Sequence, residues 1–328
     1  MPIGIGRRLF LAALGSTVAW PLSPSSSLAQ EAGRTYSLGV LTSAPRDAPR
    51  ILAFFDELRI FGFVEGKNLT VVPGGFGLPN EQFPSAAATM VKAAPDAILC
   101  AGDLATRVAK DATSLVPIIG LASDMLVTGL VRSFAHPGGN VTGVSVLAPE
   151  LDGKRQGILM EAAPGTPRMA ALADLNVTTS RQLELQNAAR ARGVELIIVS
   201  AHTPEEIGPA MSDAKAAGAV ALNVLASPLF SANRSLIIER AATLHLPAIY
   251  EWPEMAEEGG LMAYGTRLDM IYRQTARLLV KALLGVKPAD IPVEQPTSFE
   301  FVINLKAAKA INFTVPQTLL ARADEVIE

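Results

Sequence analysis

Polar side chains that could recognise a small molecule follow the carboxyl ends of several predicted strands. Hydroxyl and amide groups there can donate and accept hydrogen bonds, and carboxylates favour a ligand amine or hydroxyl. In an open parallel sheet, ligands bind outside the carboxyl ends of the strands, where loops and helix N-termini converge. Each polar candidate could instead form a turn or cap a helix. The ligand-binding candidates that this rule selects are Thr42, Ser43, Ala44, Gly102, Asp103, Ser123, Asp124, Asn176, Ala226, Ser227, Tyr250, Glu251 and Tyr264.

Among the candidate residues, Asp103 is the one that best indicates the chemistry of a ligand. It directly follows Gly102 at the start of a predicted helix, so its carboxylate could simply cap that helix. Its charge would also oppose a ligand anion at this place and favour an amine or a hydroxyl. We therefore expect a hydrogen-bond donor of the ligand near Asp103, with Ser43 or Arg46 available for a carboxylate.

Two tyrosines near the predicted binding edge could stack on a flat ligand. Tyr250 and Tyr264 have this potential, but aromatic residues beside a cleft also pack as its wall, and Trp252 allows the same two interpretations. Aromatic residues make up only 5% of the chain, which disfavours an extended sugar platform. A small amino acid or another carboxylate-bearing solute fits this composition better.

The sequence carries no pattern that predicts an enzyme, a metal site or a cofactor site. It contains no Gly-x-Ser-x-Gly motif, no Walker phosphate loop and no dinucleotide fingerprint after the first predicted strand. Cys100 is the only cysteine and ends an apolar run, as a buried structural thiol would. His136, His202 and His245 lie far apart without metal-ligand spacing. We therefore expect no catalytic residue, no metal and no cofactor.

Composition predicts one large or two medium globular domains. The chain has 328 residues, of which 49% are hydrophobic and 18% charged, enough apolar material for two cores. The formal net charge is −3, and no extended run of Lys or Arg occurs. A mildly acidic chain of this kind is a poor candidate for binding nucleic acid or an anionic membrane surface.

Residues 1–29 have the layout of an export signal. Arg7 and Arg8 precede the apolar core Leu9–Ala19, and cleavage is expected before Gln30, after small residues. The paired arginines resemble the twin-arginine signature, so the Sec and twin-arginine routes both stay open. The apolar core is too short for a permanent anchor, and no cysteine near the cleavage point could carry a lipid. The mature chain is therefore expected in a bacterial periplasm, neither lipid-anchored nor embedded in the membrane.

The elements that would position the candidate residues alternate between strand and helix. This alternation predicts parallel sheets with right-handed crossovers. The stretch Pro117–Val146 is expected to hold a buried strand, the loop with Ser123 and Asp124, an amphipathic helix over Leu126–Ala135, and a second strand after a Pro-Gly-Gly-Asn turn. The pattern restarts after Gly143, and two successive α/β units of similar size indicate two lobes with a cleft between them.

We expect the chain to pass between these lobes three times. The first lobe is expected to contain residues 30–143 and about 266–290, and the second lobe residues 144–265 and about 291–328. The last crossing falls near the Pro-rich connector Val286–Pro296, and its direction is not fixed by the sequence.

Four motifs, in order along the mature chain, resemble those of one known family. They include a Gly-Leu-Val segment followed by Pro-Gly-Gly-Asn-Val-Thr-Gly, and a Gly-Gly-Leu segment followed by Tyr-Gly. The matching segments are residues 61–68, 128–131 with 137–143, 259–265, and 287–296 with 302–306. By these motifs the chain resembles the family of ABC-transporter substrate-binding proteins that includes tryptophan-binding members.

The resemblance implies a type I periplasmic-binding architecture, an α/β fold with parallel sheets in two Rossmann-like lobes. It implies a receptor that closes on a small organic solute in the cleft and delivers it to an ABC permease with its ATPase. We expect this receptor to act as a monomer. The family commonly has Thr or Ser where this chain has Asp103, and this departure puts an anionic ligand group at that place in doubt.

Two other functions stay open at this point. A sensor domain could use the same fold and the same pocket to present a ligand to a signalling partner. A two-lobe α/β enzyme is the other alternative. An enzyme would turn a solute over, whereas a receptor would return it unchanged.

Overall fold

The computed structural model describes residues 33–146, 151–175 and 180–328. The candidate Asn176 and the predicted export signal lie outside the described residues. Within the described ranges, no helix is both long enough and apolar enough to cross a bilayer.

The first five strands form a sheet that is parallel throughout. They are β1 (Tyr36–Leu41), β2 (Leu69–Val71), β3 (Ala97–Ala101), β4 (Ile118–Ala122) and β5 (Val141–Ser145). Their order in the sheet is β2-β1-β3-β4-β5. In the register of this sheet, Val40 of β1 lies opposite Leu99 of β3, and Leu99 lies opposite Ile119 of β4. The parallel pairing confirms the prediction from the alternating elements.

The remaining strands form a second, separate sheet. They are β6 (Arg168–Asp174), β7 (Glu195–Ala201), β8 (Leu222–Val224), β9 (Ala248–Tyr250), β10 (Met262–Gly265), β11 (Glu300–Asn304) and β12 (Glu325–Ile327). Their order is β12-β11-β10-β9-β8-β6-β7. All described neighbours pair in parallel except β10 with β11, which run antiparallel.

Helices connect these strands and cover both sheets. They are α1 (Pro49–Ile60), α2 (Phe83–Lys92), α3 (Asp103–Ala112), α4 (Asp152–Ala162), α5 (Ser180–Arg190), α6 (Pro204–Ala216), α7 (Pro228–Ala232), α8 (Arg234–Thr243), α9 (Pro253–Glu257), α10 (Leu268–Leu283), α11 (Leu305–Ala310) and α12 (Gln317–Leu320).

Helix α1 shows why the predicted elements formed. Its residues Ile51, Phe54 and Leu58 recur at helical spacing and are fully buried, so one face of the helix packs on the first sheet. Pro49 begins the helix, where a missing N–H costs nothing. Helix α10 packs beside α1 in the same core, although it comes more than 200 residues later.

Strand β6 shows how the second lobe is layered. Ala170 and Leu172 face one hydrophobic core, while Met169, Ala171 and Ala173 face another. All five are fully buried, since helices cover both faces of the sheet. This arrangement confirms the predicted Rossmann-like character of the lobes.

The predicted helix over Leu126–Ala135 is wrong, because that stretch forms a series of turns. Gly129 adopts φ +68°, which ends any helical run after a single turn. Lys110 of α3 then donates to the carbonyl oxygens of Gly129 at 2.7 Å and Leu130 at 3.1 Å. Because these contacts come from a distant helix, the local apolar spacing could not reveal them.

The chain passes between the two sheets three times, as predicted. The first passage follows β5, the second joins β10 to α10, and the third precedes β11. Before the third passage, Glu294 pairs in parallel with Val144 next to β5. The Ser145 amide donates to the Glu294 carbonyl at 2.9 Å, and the Glu294 amide donates to the Gly143 carbonyl at 3.0 Å.

This pairing bears on the expected division into lobes. Residues 291–294 lie against the first sheet, whereas the sequence placed the second lobe from about residue 291 onward. The last crossing therefore begins after Glu294. The other expected lobe boundaries stay predictions.

Candidate functional site

The carboxyl ends of β1, β3 and β4 lie at one edge of the first sheet, because these neighbouring strands are parallel. Thr42 and Ala44 are buried in the loop after β1, and Ser43 is exposed. The Thr42 Oγ1 accepts a hydrogen bond from the Ala44 amide at 3.0 Å, and the Thr42 amide donates to the Gly75 carbonyl at 2.9 Å. Thr42 therefore shapes its own turn, and Ser43 presents the exposed side chain.

Asp103 and Ser123 join the loops after β3 and β4. The Ser123 Oγ donates to the Asp103 Oδ2 at 2.7 Å, and the Ser123 amide donates to Oδ1 at 3.2 Å. Gly102 precedes α3 with φ +110°, a conformation that favours glycine. Burial raises the pKa of Asp103, while the hydrogen bonds from Ser123 and the charge of Arg107 oppose that rise. The structure thus brings together two predicted site residues.

Asp124 has a structural role in the next turn. Its Oδ1 accepts hydrogen bonds from the amides of Leu126 and Val127, each at 3.0 Å. The carboxylate therefore caps the single turn that begins there. Its contact with a ligand stays a prediction.

Buried polar side chains gather at the carboxyl ends of β6, β8 and β9 in the second lobe. Asp174 ends β6, Ser227 follows β8 and Glu251 follows β9, and each is at most 8% exposed. The Ser227 Oγ donates to the Asp174 Oδ2 at 2.6 Å, and the Ser227 amide interacts with the Glu251 carboxyl group. The predicted residues Ser227 and Glu251 are therefore neighbours.

Helix α4 adds a buried ion pair to this group. The Arg155 guanidinium pairs with the Asp152 carboxylate and donates to the Tyr264 carbonyl at 3.0 Å. The amide of Ala226 donates to the Asp152 Oδ1 at 3.1 Å. We call Asp152, Arg155, Asp174, Ser227 and Glu251 the buried polar cluster.

Burial dominates the electrostatics of Glu251. It raises the pKa of this carboxyl group to about 8; the positive charge of Arg155 lowers the pKa and the negative charge of Asp152 raises it. Among the described residues, Glu251 forms no ion pair of its own. A hydrogen-bond donor or a cation arriving from the cleft would therefore favour the ionised form of Glu251.

The two candidate tyrosines differ in their surroundings. Tyr250 is 1% exposed, packs against Gly260 and lines a small apolar pocket in the second lobe. This placement supports wall packing for Tyr250. Tyr264 is half-buried and stacks on Phe299, with ring centroids 6.2 Å apart. Trp252 is also buried, at 8% exposure.

The two arginines near the end of β1 have different partners. Arg46 pairs with Glu65 and lies over the rings of Phe55 and Phe76, with its guanidinium carbon 4.6 and 5.0 Å from the ring centroids. Its charge is therefore already engaged, which weakens the expectation that it binds a ligand carboxylate. Arg50, which the sequence analysis did not select, lies beside the Tyr272 hydroxyl.

The described part of the chain contains no site suited to metal binding or to thiol chemistry. No group of three or more His, Cys, Asp and Glu residues is arranged there to hold a metal ion. Cys100 is fully buried, and desolvation raises the pKa of its thiol far above the usual range. Cys100 is therefore an inert core residue.

Sequence reasoning missed Asp152, Arg155 and Asp174 of the buried polar cluster. Helix α4 was not predicted, because polar residues occupy positions on its buried face. The available signal was an acid and an arginine three residues apart, a spacing that brings them together on a helix. That spacing is common on exposed helices, so the sequence alone could not indicate burial.

Comparisons with known proteins agree with this architecture. Residues 64–327 match the family described as ABC transporter substrate binding protein. A tyrosine-binding protein of Clostridioides difficile is 24% identical over 265 residues, which are 79% of this chain and 75% of that protein.

Solved structures show the same fold. A conserved domain protein from Vibrio cholerae has a TM-score of 0.78 at 22% identity, over 89% of this chain and 99% of that chain. An ABC domain from Streptococcus pneumoniae in complex with L-Trp has a TM-score of 0.76 at 21% identity, over 89% of this chain and 100% of that chain. The fold is that of the type I periplasmic-binding proteins.

Proposed function

Because this chain belongs to the family of ABC transporter substrate-binding proteins, we propose that it is a periplasmic receptor that captures a small organic solute between its lobes and delivers it to an ABC permease. The buried polar cluster is the observation that carries this proposal. It lies at the carboxyl ends of parallel strands, where open α/β sheets bind ligands. Buried charges gain little for stability compared with apolar packing, so their presence at this edge supports solute recognition.

The solute that we propose is an amino acid or a related compound with a carboxylate. The buried polar cluster contains three carboxyl groups and one guanidinium, a balance that favours a ligand amine or hydroxyl. The names of two relatives, a tyrosine-binding protein and an ABC domain in complex with L-Trp, support the same class.

A thermal-shift screen tests the proposal directly. The purified mature chain is heated with single L-amino acids, aromatic acids and short carboxylates, and a solute that binds only the native state raises the melting temperature. Isothermal titration then measures the affinity, and mass spectrometry of the recovered solute checks that it is unchanged. Absence of a shift with every amino acid would contradict the proposed solute class, and conversion of the solute would favour an enzyme.

Location and partner are part of the same proposal. We expect mass spectrometry of the periplasmic fraction to find a mature chain that begins at Gln30. Deleting the gene should reduce uptake of the identified solute, and only a binding-competent chain should restore it. Normal uptake in the deletion strain, with loss of a transcriptional response to the solute, would favour the sensor alternative.

A further inference from the structure

The first lobe contains an arginine at the predicted ligand edge that forms no ion pair with any carboxylate among the described residues. Arg50 is the second residue of α1, directly after the loop that follows β1, and it is half-buried. No ion pair formed by the described residues involves Arg50.

Other arginines around α1 and α10 are each matched by an acidic residue. These pairs differ in exposure, but in every one a carboxylate oxygen lies close to the guanidinium. The pairs are Arg46–Glu65, Arg59–Asp56, Arg273–Glu57 and Arg277–Glu57. Arg50 therefore differs from these four arginines, which come from α1, α10 and the loop after β1.

The helix makes this isolated charge unfavourable in the absence of an anion. The N-terminus of a helix carries a partial positive charge, which destabilises a cation in the first turn. The first turn of α1 contains no acidic residue that could offset it. A bound anion would accept hydrogen bonds from the guanidinium and would also interact favourably with the helix N-terminus.

One further side chain, Tyr272, contacts Arg50, and Thr42 contacts that tyrosine in turn. Tyr272 comes from the second turn of α10 and is 4% exposed, and its hydroxyl interacts with Arg50 and with Thr42. Because α10 packs along α1, the tyrosine ring is fixed by the core of the lobe. The Arg50 guanidinium thus lies against the Tyr272 hydroxyl of α10, which also contacts the residue that follows β1.

We propose that Arg50, positioned by Tyr272, binds the carboxylate of the solute in the first lobe. This inference rests on the proposed receptor function, and it names the carboxylate as the chemical group that the site recognises. Two other positions at this edge are less suited to a carboxylate. Asp103 places its own carboxylate at the start of α3, and Arg46 pairs with Glu65. A planar guanidinium suits a carboxylate, since it can donate two parallel hydrogen bonds.

Titration calorimetry with acids and their amides tests the assignment. The probes are L-tyrosine, L-tryptophan and the corresponding amides, which lack the carboxylate. We expect Arg50→Gln to weaken binding of the acids at least about tenfold and to leave the affinity for the amides within about twofold. Arg50→Lys keeps the charge but not the paired donors, so it should fall between Arg50→Gln and the wild type.

Arg46→Gln is the matched control, because it removes a charge from the same loop region that already has a partner. Its affinities should equal those of the wild type. Tyr272→Phe keeps the buried ring and removes only the hydroxyl that positions Arg50. It should weaken the acids by about threefold and the amides not at all. Melting curves show that each variant is folded.

A second measurement does not depend on the identity of the natural solute. Phenylglyoxal modifies accessible arginines, and peptide mapping follows Arg50 and Arg46 with and without propionate. Protection of Arg50 alone supports the subsite, even if no amino acid binds and the proposed solute class fails. Equal modification with and without propionate, or equal losses for acids and amides in Arg50→Gln, would overturn the assignment while leaving receptor function intact.

Discussion

Glu251 shows at the scale of a single residue how the surroundings set the chemistry. Its side chain lies at the end of β9 and is 8% exposed, so the ionised form loses its contact with water. That loss raises its pKa to about 8, more than the nearby Arg155 can offset. The folded protein therefore keeps a proton on Glu251 near neutral pH, whereas the unfolded chain releases it.

The first prediction concerns the pH dependence of stability. Between the unfolded pKa of 4.5 and the folded pKa of about 8, the folded state binds more protons than the unfolded state, so this group lowers the free energy of unfolding as pH rises. The slope is at most about 1.4 kcal/mol per pH unit. Glu251→Gln should remove this contribution, which urea unfolding at pH 5, 6.5 and 8 can measure.

Glu184→Gln is the control for this experiment, because Glu184 is exposed on α5. Both variants lose one carboxyl group, but only the buried one should flatten the pH profile. Identical profiles for the two variants would show that Glu251 is ionised in the folded protein without a solute.

The second prediction concerns Asp103. Its carboxylate accepts two hydrogen bonds from Ser123 and lies at the start of α3, so Asp103→Ala should lower the free energy of unfolding by about 1–2 kcal/mol. If the ligand also donates to Asp103, the affinity should fall as well. Ser123→Ala keeps the charge of Asp103 and removes one hydrogen bond to it, so it should lower the free energy of unfolding by less than Asp103→Ala does. Unchanged affinity in Asp103→Ala, measured by titration calorimetry, would refute the ligand contact.

At the scale of elements, the close contact between β4 and β5 depends on one glycine. Gly143 has φ +150°, and a Cβ at this position would overlap the carbonyl group of Gly120 on the neighbouring strand. Next to it, the Thr142 Oγ1 donates to the Ile291 carbonyl at 2.7 Å, where the last crossing segment joins the first sheet. The last glycine of the Pro-Gly-Gly-Asn-Val-Thr-Gly motif thus permits two strands and a returning segment to meet.

The third prediction compares two glycines of this motif. Gly143→Ala should destabilise the chain by about 3 kcal/mol or more, because neither neighbouring backbone can move away. Gly139→Ala should change stability by less than about 1 kcal/mol, since a Cβ there meets open space. Soluble yield and thermal unfolding report the difference. Equal melting temperatures for the two variants would contradict the close approach.

The connections between the lobes matter at the scale of the whole molecule. Thr266 and Ser298 tie the second and third passages together through a hydrogen bond of 2.9 Å, on the side of the second lobe. On the side of the first lobe, the Gln274 Nε2 donates to the Glu294 Oε2 at 2.9 Å. Arg267 and residues 295–297 lie between these two ties and outside helices and strands, so backbone rotation there could reorient the lobes.

The fourth prediction is that a bound solute makes the molecule more compact. A ligand that contacts Arg50 in the first lobe and the buried polar cluster in the second should draw the lobes together, which lowers the radius of gyration in small-angle scattering. Arg50→Gln at the same solute concentration should keep the profile of the free protein. An unchanged wild-type profile, with binding proved by calorimetry, would contradict closure.

The sequence by itself determined the elements and their class. The alternation of strands and helices predicted parallel sheets, the helix that begins at Asp103 was expected, and four motifs indicated the family. These features are local, so each can be read from a few neighbouring residues. The sequence also indicated the edge of the sheets where we propose that a ligand binds, because parallel strands place their carboxyl ends together.

Only the tertiary structure decided the partners of the charged residues. Helix α4 is buried, Arg46 pairs with Glu65, and Arg50 lies beside Tyr272 without an ion pair to any described residue. All three features depend on segments that are distant in sequence. The same holds for Lys110, which fixes turns where apolar spacing predicted a helix. Burial and ion pairing arise from packing between elements, so a linear pattern cannot show which charges are neutralised by other residues of the protein.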